Sequence, residues 1–227
     1  MKELAKQSLE KLWEGFKANE CENCTNNACE GRLNYDDLCS NINYLRKYGK
    51  QNYEKNRETF YELKKLIGNE KPAIFSFGCG LGLDFLGAVE VFGDNGIYYP
   101  IDENRWAIVN TDNYRNFKPK LPKKTMSLEE GIMLLSVTSQ NAVICFFNSL
   151  FAISKNTQNL NRKLITALQS KKNFFFVCNY TMNSNLFMPS TELEFIDKLL
   201  NELKYKYSFK KLEILSGKGI IISGERK

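Results

Sequence analysis

The chain reads as an α/β protein built on a mainly parallel sheet, and three features of the sequence predict it. An apolar, aromatic run at 73–77 breaks into Gly78-x-Gly80-x-Gly82 and then returns to helical spacing at Leu83, Leu86 and Val89. Continuous apolar runs recur at 142–147 and 173–179, separated by segments with helical periodicity. Runs of this kind suit strands that helices cover on both faces, whereas a half-exposed strand would alternate. The end of the chain differs: two strands, 207–215 and 219–225, joined through Ser216-Gly217-Lys218, predict an antiparallel closing hairpin.

The other elements follow in order. Residues 2–18 place Leu4, Leu9, Leu12, Trp13 and Phe16 on or near one helical face, with Gly15 weakening the pattern. A cysteine-containing loop follows. From about Ile42 to Ile67, Tyr44, Tyr48, Phe60, Leu63 and Ile67 give a second helical stretch with a break at Gly49. Gly68 and Pro72 bracket its end. Residues 97–102 form a second strand ending in an acid, Asp102. A third strand belongs in 112–127, a polar, basic stretch with Pro119 and Pro122 and no clear strand pattern. Helices are expected at about 128–138 (Leu128, Ile132, Leu135), 157–170 and 190–204 (Leu193, Ile196, Leu199, Leu200). This divides the chain into a helical, cysteine-containing cap at 1–70 and a sheet domain at 71–227.

A length of 227 residues suits one α/β domain with an accessory segment, and 43% hydrophobic content supports a large core. No segment is apolar for about 18 residues, so no membrane span is expected. The amino terminus lacks the apolar core of a signal peptide, which predicts a cytoplasmic protein. The formal charge is +6. Residues 1–70 hold 12 basic and 12 acidic side chains, so the excess lies in 71–227. It concentrates at Arg115, Lys118, Lys120, Lys123 and Lys124, and again at Lys198, Lys204, Lys206, Lys210 and Lys211. A basic stripe at a site's rim would attract an anionic substrate; solvated helix and loop faces are the simpler reading of such runs.

A strand, a glycine turn and a helix start allow close approach of a ligand to the backbone at the carboxyl end of the strand. The triplet departs from the dinucleotide fingerprint, because its third glycine comes after one intervening residue, not two. Asp102 lies 20 residues beyond Gly82, where a carboxylate can accept from both hydroxyls of a ribose. Its other role would be to cap a following helix from Glu103 to Val109.

Together, Phe77-Gly78-Cys79-Gly80-Leu81-Gly82, Asp102 and the strand Ala142–Phe147 running into Asn148-Ser149 resemble the class I S-adenosylmethionine-dependent methyltransferases. The resemblance covers roughly residues 45–227. It implies a Rossmann-like three-layer sandwich with a seven-stranded, mainly parallel sheet and an antiparallel carboxy-terminal hairpin. It also implies S-adenosylmethionine at Ser76, Gly78, Cys79, Gly80, Gly82, Asp84, Asp102 and Glu103. Asn148, Asn179 and Tyr180 would line the substrate side, with Asn148 and Ser149 as candidate catalytic residues. Tyr44, Tyr48 and Tyr53 are candidates to lie over the cofactor. Many family members carry an acid two residues before the first glycine; this chain has Ser76, and Asp84 can supply the carboxylate from the helix start instead. The edge at Asn148 lacks the N-P-P-Y pattern of amino-group methyltransferases acting on adenine. With no histidine in the chain, any general base must be Asp, Glu, Tyr, Lys, Cys or water.

Cys21, Cys24, Cys29 and Cys39 fall in the spacing C-x2-C-x4-C-x9-C among polar residues. Four thiolates suit structural zinc, and iron–sulfur clusters take the same ligand number. Ordinary thiols in a small helical cap are the alternative, and a cytoplasmic location argues against disulfides. Two functions follow. One is a methyltransferase acting on a small molecule or RNA. The other is a methyltransferase-like binding module that holds a nucleoside, or docks a partner through its cap, without turnover.

Overall fold

The computed structural model describes residues 37–104, 125–156, 159–179, 190–217 and 219–227. The first described element is one long helix in three parts. Helix α1, Leu38–Tyr44, is capped by the Asp37 side chain, which accepts from the Ser40 N–H at 2.7 Å. A single wide π turn, Leu45–Gly49, then runs directly into α2, Lys50–Ile67. The break expected at Gly49 is therefore a local widening, not an interruption. Such turns reset which residues face inward. Gly68 ends α2 at φ +69°, donating back to the Lys64 carbonyl.

Strand β1 (Pro72–Phe77) leads through the glycine turn into α3 (Leu83–Phe92) and then β2 (Ile97–Ile101). Next come α4 (Leu128–Val137), β3 (Asn141–Phe147), α5 (Leu150–Asn156) and α6 (Leu160–Leu168). The chain closes with β4 (Asn173–Asn179), α7 (Ser190–Leu203), β5 (Tyr207–Ile214) and β6 (Gly219–Arg226). Ser127 and Glu130 form a reciprocal capping box that starts α4. The helix expected over 157–170 is α6, and the short α5 precedes it.

The strands form one sheet in the order β2-β1-β3-β4-β6-β5. The first four are parallel; β6 is antiparallel to β4, and β5 to β6. The described residues thus hold six strands, where seven were expected. Beyond β2 there is one isolated parallel bridge, Ile101 to Met126, at the end of the segment where the third strand was sought. The basic run from Arg115 to Lys124 lies outside the described residues.

Alternation along the buried strands builds two cores. Ala73, Phe75 and Phe77 of β1 join Ile144, Phe146, Phe174 and Phe176 on one face, under Leu135, Leu164, Leu168, Leu199 and Leu203 from α4, α6 and α7. Ile74, Val143, Cys145 and Val177 face the other way, toward Phe60, Leu63 and Ile67 of α2 and Val91 and Phe92 of α3. The result is three layers, helix on sheet on helix. Residues 50–67, which the sequence placed in the cap segment, pack directly on the sheet.

The cysteine segment brings a correction. Cys39 is disulfide-bonded, which removes it from a set of four free thiolates and runs against the expectation that disulfides would be absent. Cys21, Cys24 and Cys29, and the helix expected at 2–18, lie outside the described residues. Among the described residues no group of three His, Cys, Asp or Glu side chains is placed to hold a metal, and no helix is long and apolar enough to cross a membrane.

Phe60 is fully buried, with its ring edge-on to Phe92 and Phe147 at 5.9 and 5.3 Å. Phe60→Ala should cost ~3–5 kcal/mol in urea unfolding. A loss under about 1 kcal/mol would mean that α2 is not part of the sheet's core.

Candidate functional site

The cavity lies over the carboxyl ends of β1, β2 and β3. It encloses about 420 Å³, within the ~300–1,000 Å³ typical of small-molecule sites. The glycine turn forms its floor. Gly78, Gly80 and Gly82 all have positive φ, at +71°, +55° and +73°. At Gly78 space also decides: a Cβ there would stand 2.5 Å from the Ser149 Cβ, so only glycine fits.

The turn's amides are not available to a ligand in the usual way. The Gly78 and Cys79 N–H groups both donate to the Ile101 carbonyl, at 2.7 and 3.2 Å. The Gly80 N–H donates to Asp102 Oδ2 at 2.8 Å, and the Gly82 N–H to the Cys79 carbonyl at 2.9 Å. Three successive donors thus bind the turn to the end of β2. The first turn of α3 carries its own acid, Asp84, and the nearby backbone amides of Asp84 and Phe85 favour its charged form.

Asp84 is fully buried behind the turn. It accepts from the Ser76 hydroxyl and, at 2.6 Å, from the Tyr98 hydroxyl, all on Oδ2. Its other oxygen, Oδ1, is buried without a hydrogen-bond partner. Burial pushes this carboxyl up to about 6, against the pull of Ser76, Tyr98 and the two backbone amides. The acid expected two residues before the first glycine is therefore present from the other side: Ser76 stands in the strand and donates to an aspartate on the helix.

Asp102 lines the cavity from β2. Its Oδ1 accepts from the Asn104 backbone and side-chain N–H groups, at 2.8 and 3.2 Å. Burial raises its pKa, opposed by the Asn104 and Gly80 amides. Glu103 and Asn104 continue the same wall, with Leu128. The Cys79 thiol is raised well above its ordinary value by burial and by the charges of Asp84 and Asp102; Cys145 is raised by burial and by Asp84. Neither is a thiolate at neutral pH.

The opposite wall is made of amides. Asn148 follows β3 in the left-handed region at φ +58° and donates its N–H to the Asn179 carbonyl at 3.0 Å. Its Nδ2 donates to Asn52 Oδ1 at 3.4 Å, and Asn52 Nδ2 donates to the Tyr44 hydroxyl at 3.2 Å. Ser149 Oγ donates to the Phe77 carbonyl at 2.5 Å, joining the end of β1 to the start of α5. Asn179 is buried behind this wall; its Nδ2 donates to Asn56 Oδ1 at 3.0 Å.

Of the residues singled out in the sequence, Gly78, Cys79, Gly80, Asp84, Asp102, Glu103, Asn148 and Ser149 all line this one cavity. Ser76 supports it through Asp84, and Gly82, at the end of the same turn, is not part of its lining. Tyr44 lines it as well, with its ring 5.5 Å from that of Tyr48. Tyr53 does not: its hydroxyl donates to Glu90 in the α2–α3 interface. Tyr180 is outside the described residues. Sequence reading missed Asn52 and Asn56, which carry no motif; their only signal is a polar pair at i and i+4 in a helix with an otherwise buried face. It also missed Tyr98, hidden in an aromatic strand.

Strand order, hairpin and glycine turn together give the class I S-adenosylmethionine-dependent methyltransferase fold. A solved S-adenosylmethionine-dependent methyltransferase from Aquifex aeolicus matches with a TM-score of 0.50 at 15% identity, over 78% of this chain and 96% of that one. The 16S rRNA methylase ArmA matches at 0.45 and 14% identity, over 87% of this chain and 100% of that one. A fibrillarin/Nop5p complex matches at 0.45 and 12% identity, over 78% and 83%. At 15% identity the likeness to the Aquifex aeolicus protein is one of fold. No family model and no curated protein matches the sequence.

Asp84 gives a pH-dependent prediction. Its folded pKa lies above the ordinary aspartate value, so between about pH 4 and 6 the folded chain binds more protons than the unfolded chain. Stability therefore falls as pH rises through that window, by an upper bound on the order of 3 kcal/mol. Asp84→Asn should be more stable than the native chain at pH 7 and lose that advantage at pH 4. Urea denaturation at the two pH values reads this; an advantage independent of pH would contradict the assigned cause.

Proposed function

We propose that the cavity binds S-adenosylmethionine and that the protein transfers its methyl group to an acceptor, a small molecule or RNA. The observation that carries this reading is the site's electrostatics. A phosphate-binding turn offers free backbone N–H groups and a helix N-terminus to an anion. Here those donors are spent on Ile101 and Asp102, and α3 begins with its own carboxylate. Asp84, Asp102 and Glu103 line the cavity, and no basic side chain does among the described residues. A dinucleotide's pyrophosphate would be repelled. A nucleoside bearing a sulfonium and an ammonium would be attracted.

The residues present fit that group. Asp102 would take the ribose hydroxyls in place of part of its bonding to Asn104. Asp84, through its unpartnered Oδ1, would face the ammonium end. Leu128 and Ile101 would flank the base, and Tyr44 would cover the amino-acid tail. Bound there, the cofactor supplies a methyl group on a positively charged sulfur, which departs as a neutral thioether.

What the chain itself must do is orient an acceptor and exclude water. Asn148, at the end of β3, is placed to hold an acceptor by hydrogen bonds. Ser149 keeps its proton on the Phe77 carbonyl, so its role is to hold the turn. Catalysis then rests on positioning.

A second reading, a non-catalytic nucleoside-binding module, is favoured by one observation: the Ser149 hydroxyl is committed to a main-chain carbonyl and the Cys79 thiol in the cavity is neutral. Neither can activate an acceptor.

Calorimetry with S-adenosylmethionine and S-adenosylhomocysteine, followed by labelled-methyl transfer to RNA and small-molecule pools, tests both readings. Binding with transfer is the expected result. Binding with no transfer to any pool would select the module, and absence of binding would reject both. Asp102→Ala should weaken binding by ~1–3 kcal/mol, the worth of hydrogen bonds to a charged group. Unchanged affinity would remove Asp102 from the ribose position.

A further inference from the structure

Strand β5 is the outermost strand of the sheet, and among the described residues its second edge pairs with nothing. The ladder fixes which of its residues turn their main chain to that edge. At the end of β6 the Arg226 N–H donates to the Lys172 carbonyl and the Lys227 N–H to the Lys206 carbonyl, both at 3.0 Å. Successive residues of β6 thus face β4 and β5 in turn, and both registers run without a bulge back to Gly219. The odd-numbered residues of β6 face β5, where their partners are Ser208, Lys210, Leu212 and Ile214. Tyr207, Phe209, Lys211 and Glu213 therefore direct their N–H and C=O groups outward.

An open edge of this kind invites pairing, and lysines commonly guard it. Two lysines do stand here, but an acid and a leucine stand with them. Lys210, Lys211, Leu212 and Glu213 are all exposed, Leu212 at 37%. Lys211 and Glu213 lie two residues apart and so share a face of the sheet, the one from which Tyr207 and Phe209 enter the core. Lys211 meets Asp197 of α7 at 3.5 Å. The Glu213 carboxylate has no ion pair among the described residues. A lysine guard alone explains neither the acid nor the exposed leucine between the two charges.

The hydrogen-bond parity decides how such an edge can meet a second copy of itself. In an antiparallel ladder, residues that face each other with their main chains stand directly opposite. An outward residue of β5 can therefore stand opposite only another outward residue. Lys211 opposite Lys211 would set like charges together. Lys211 opposite Phe209 or Tyr207 would leave Glu213 without a base. Lys211 opposite Glu213 sets base against acid, twice by symmetry, with Leu212 against its own copy on the axis between them. We propose that β5 is a self-pairing edge: two copies of this chain join antiparallel in that register, so that the sheet continues from one into the other. Such an interface is closed, because both copies spend the same patch on each other. The cavity lies over β1, β2 and β3, with β4 and β6 between it and β5, and stays open in the pair. The inference is independent of the methyl-transfer reading.

Sedimentation velocity on the full-length chain, from about 10 µM to about 1 mM, reads the association. The ladder is short, so a reversible dimer is expected whose fraction rises with concentration and falls with added salt. Lys211→Glu sets acid against acid on both sides of the axis and should weaken the dimer roughly tenfold. Adding Glu213→Lys to that variant exchanges the two charges and should restore it. Asp197→Asn removes the partner of Lys211 within the chain and should leave the dimer intact, which separates the two roles of that lysine. Amide hydrogen exchange gives a second readout. The outward N–H groups of Lys211 and Glu213 should become protected as the concentration rises, while that of Leu212, turned to β6 in either state, should not change.

A monomer at every concentration would mean that the edge is covered by another segment or kept for a different partner, and would overturn the inference. So would a dimer indifferent to Lys211→Glu, which would join through another surface. A double exchange that fails to restore association, or protection that spares the Lys211 and Glu213 amides, would overturn the register and the inference with it.

Discussion

Everything at this site depends on the hydrogen bonds that bind the glycine turn to the end of β2. The N–H groups of Gly78 and Cys79 share the Ile101 carbonyl, and Gly80 donates to the Asp102 carboxylate. These contacts do two things at once. They hold three consecutive peptides in a tight turn that only glycine can fit against Ser149, and they use up the donors that would otherwise make the turn an anion site. The same backbone shape that cradles phosphate in other α/β folds is thereby turned to the opposite sign.

Asp84 carries the second half of that logic. A buried carboxylate with one unpartnered oxygen destabilises the folded chain at neutral pH. Ser76 and Tyr98 offset only part of the desolvation, which is why its pKa remains near 6. Groups perturbed in this way, by burial inside a cleft, concentrate where proteins meet their ligands. The position is also economical in structure. Ser76 is on β1, Asp84 on α3 and Tyr98 on β2, so the cluster joins strand, helix and neighbouring strand directly beneath the turn. Shifting the acid from the strand to the helix leaves β1 uncharged in the middle of the sheet, where Ser76 is nearly inaccessible to solvent.

Much of this was legible in the sequence, for definite reasons. β1, β3 and β4 announce themselves because strands buried on both faces must be apolar throughout. The glycine turn and Asp102 are legible because backbone conformation demands glycine and a strand end demands few alternatives. Six strands are described where seven were inferred; the segment in which the third was sought lies largely outside the described residues, and its one described pairing is the bridge from Met126 to Ile101. Cys39 was read as a metal ligand or an ordinary thiol because spacing reveals which cysteines are near one another, not their oxidation state. The amide wall was not legible at all. Asn52 and Asn56 are 96 and 123 residues from their partners Asn148 and Asn179, and an asparagine on a helix looks the same in sequence whether it faces water or a cavity. Tertiary packing alone turns those four side chains toward one another.

The most direct test of the account is a crystal structure of the full-length chain with S-adenosylhomocysteine. The account predicts the ribose hydroxyls on Asp102, the amino group within hydrogen-bond distance of Asp84, and the Gly78, Cys79 and Gly80 amides still bound to β2. A ligand seated away from the glycine turn, or a turn that releases those amides to bind it, would contradict the account at its centre.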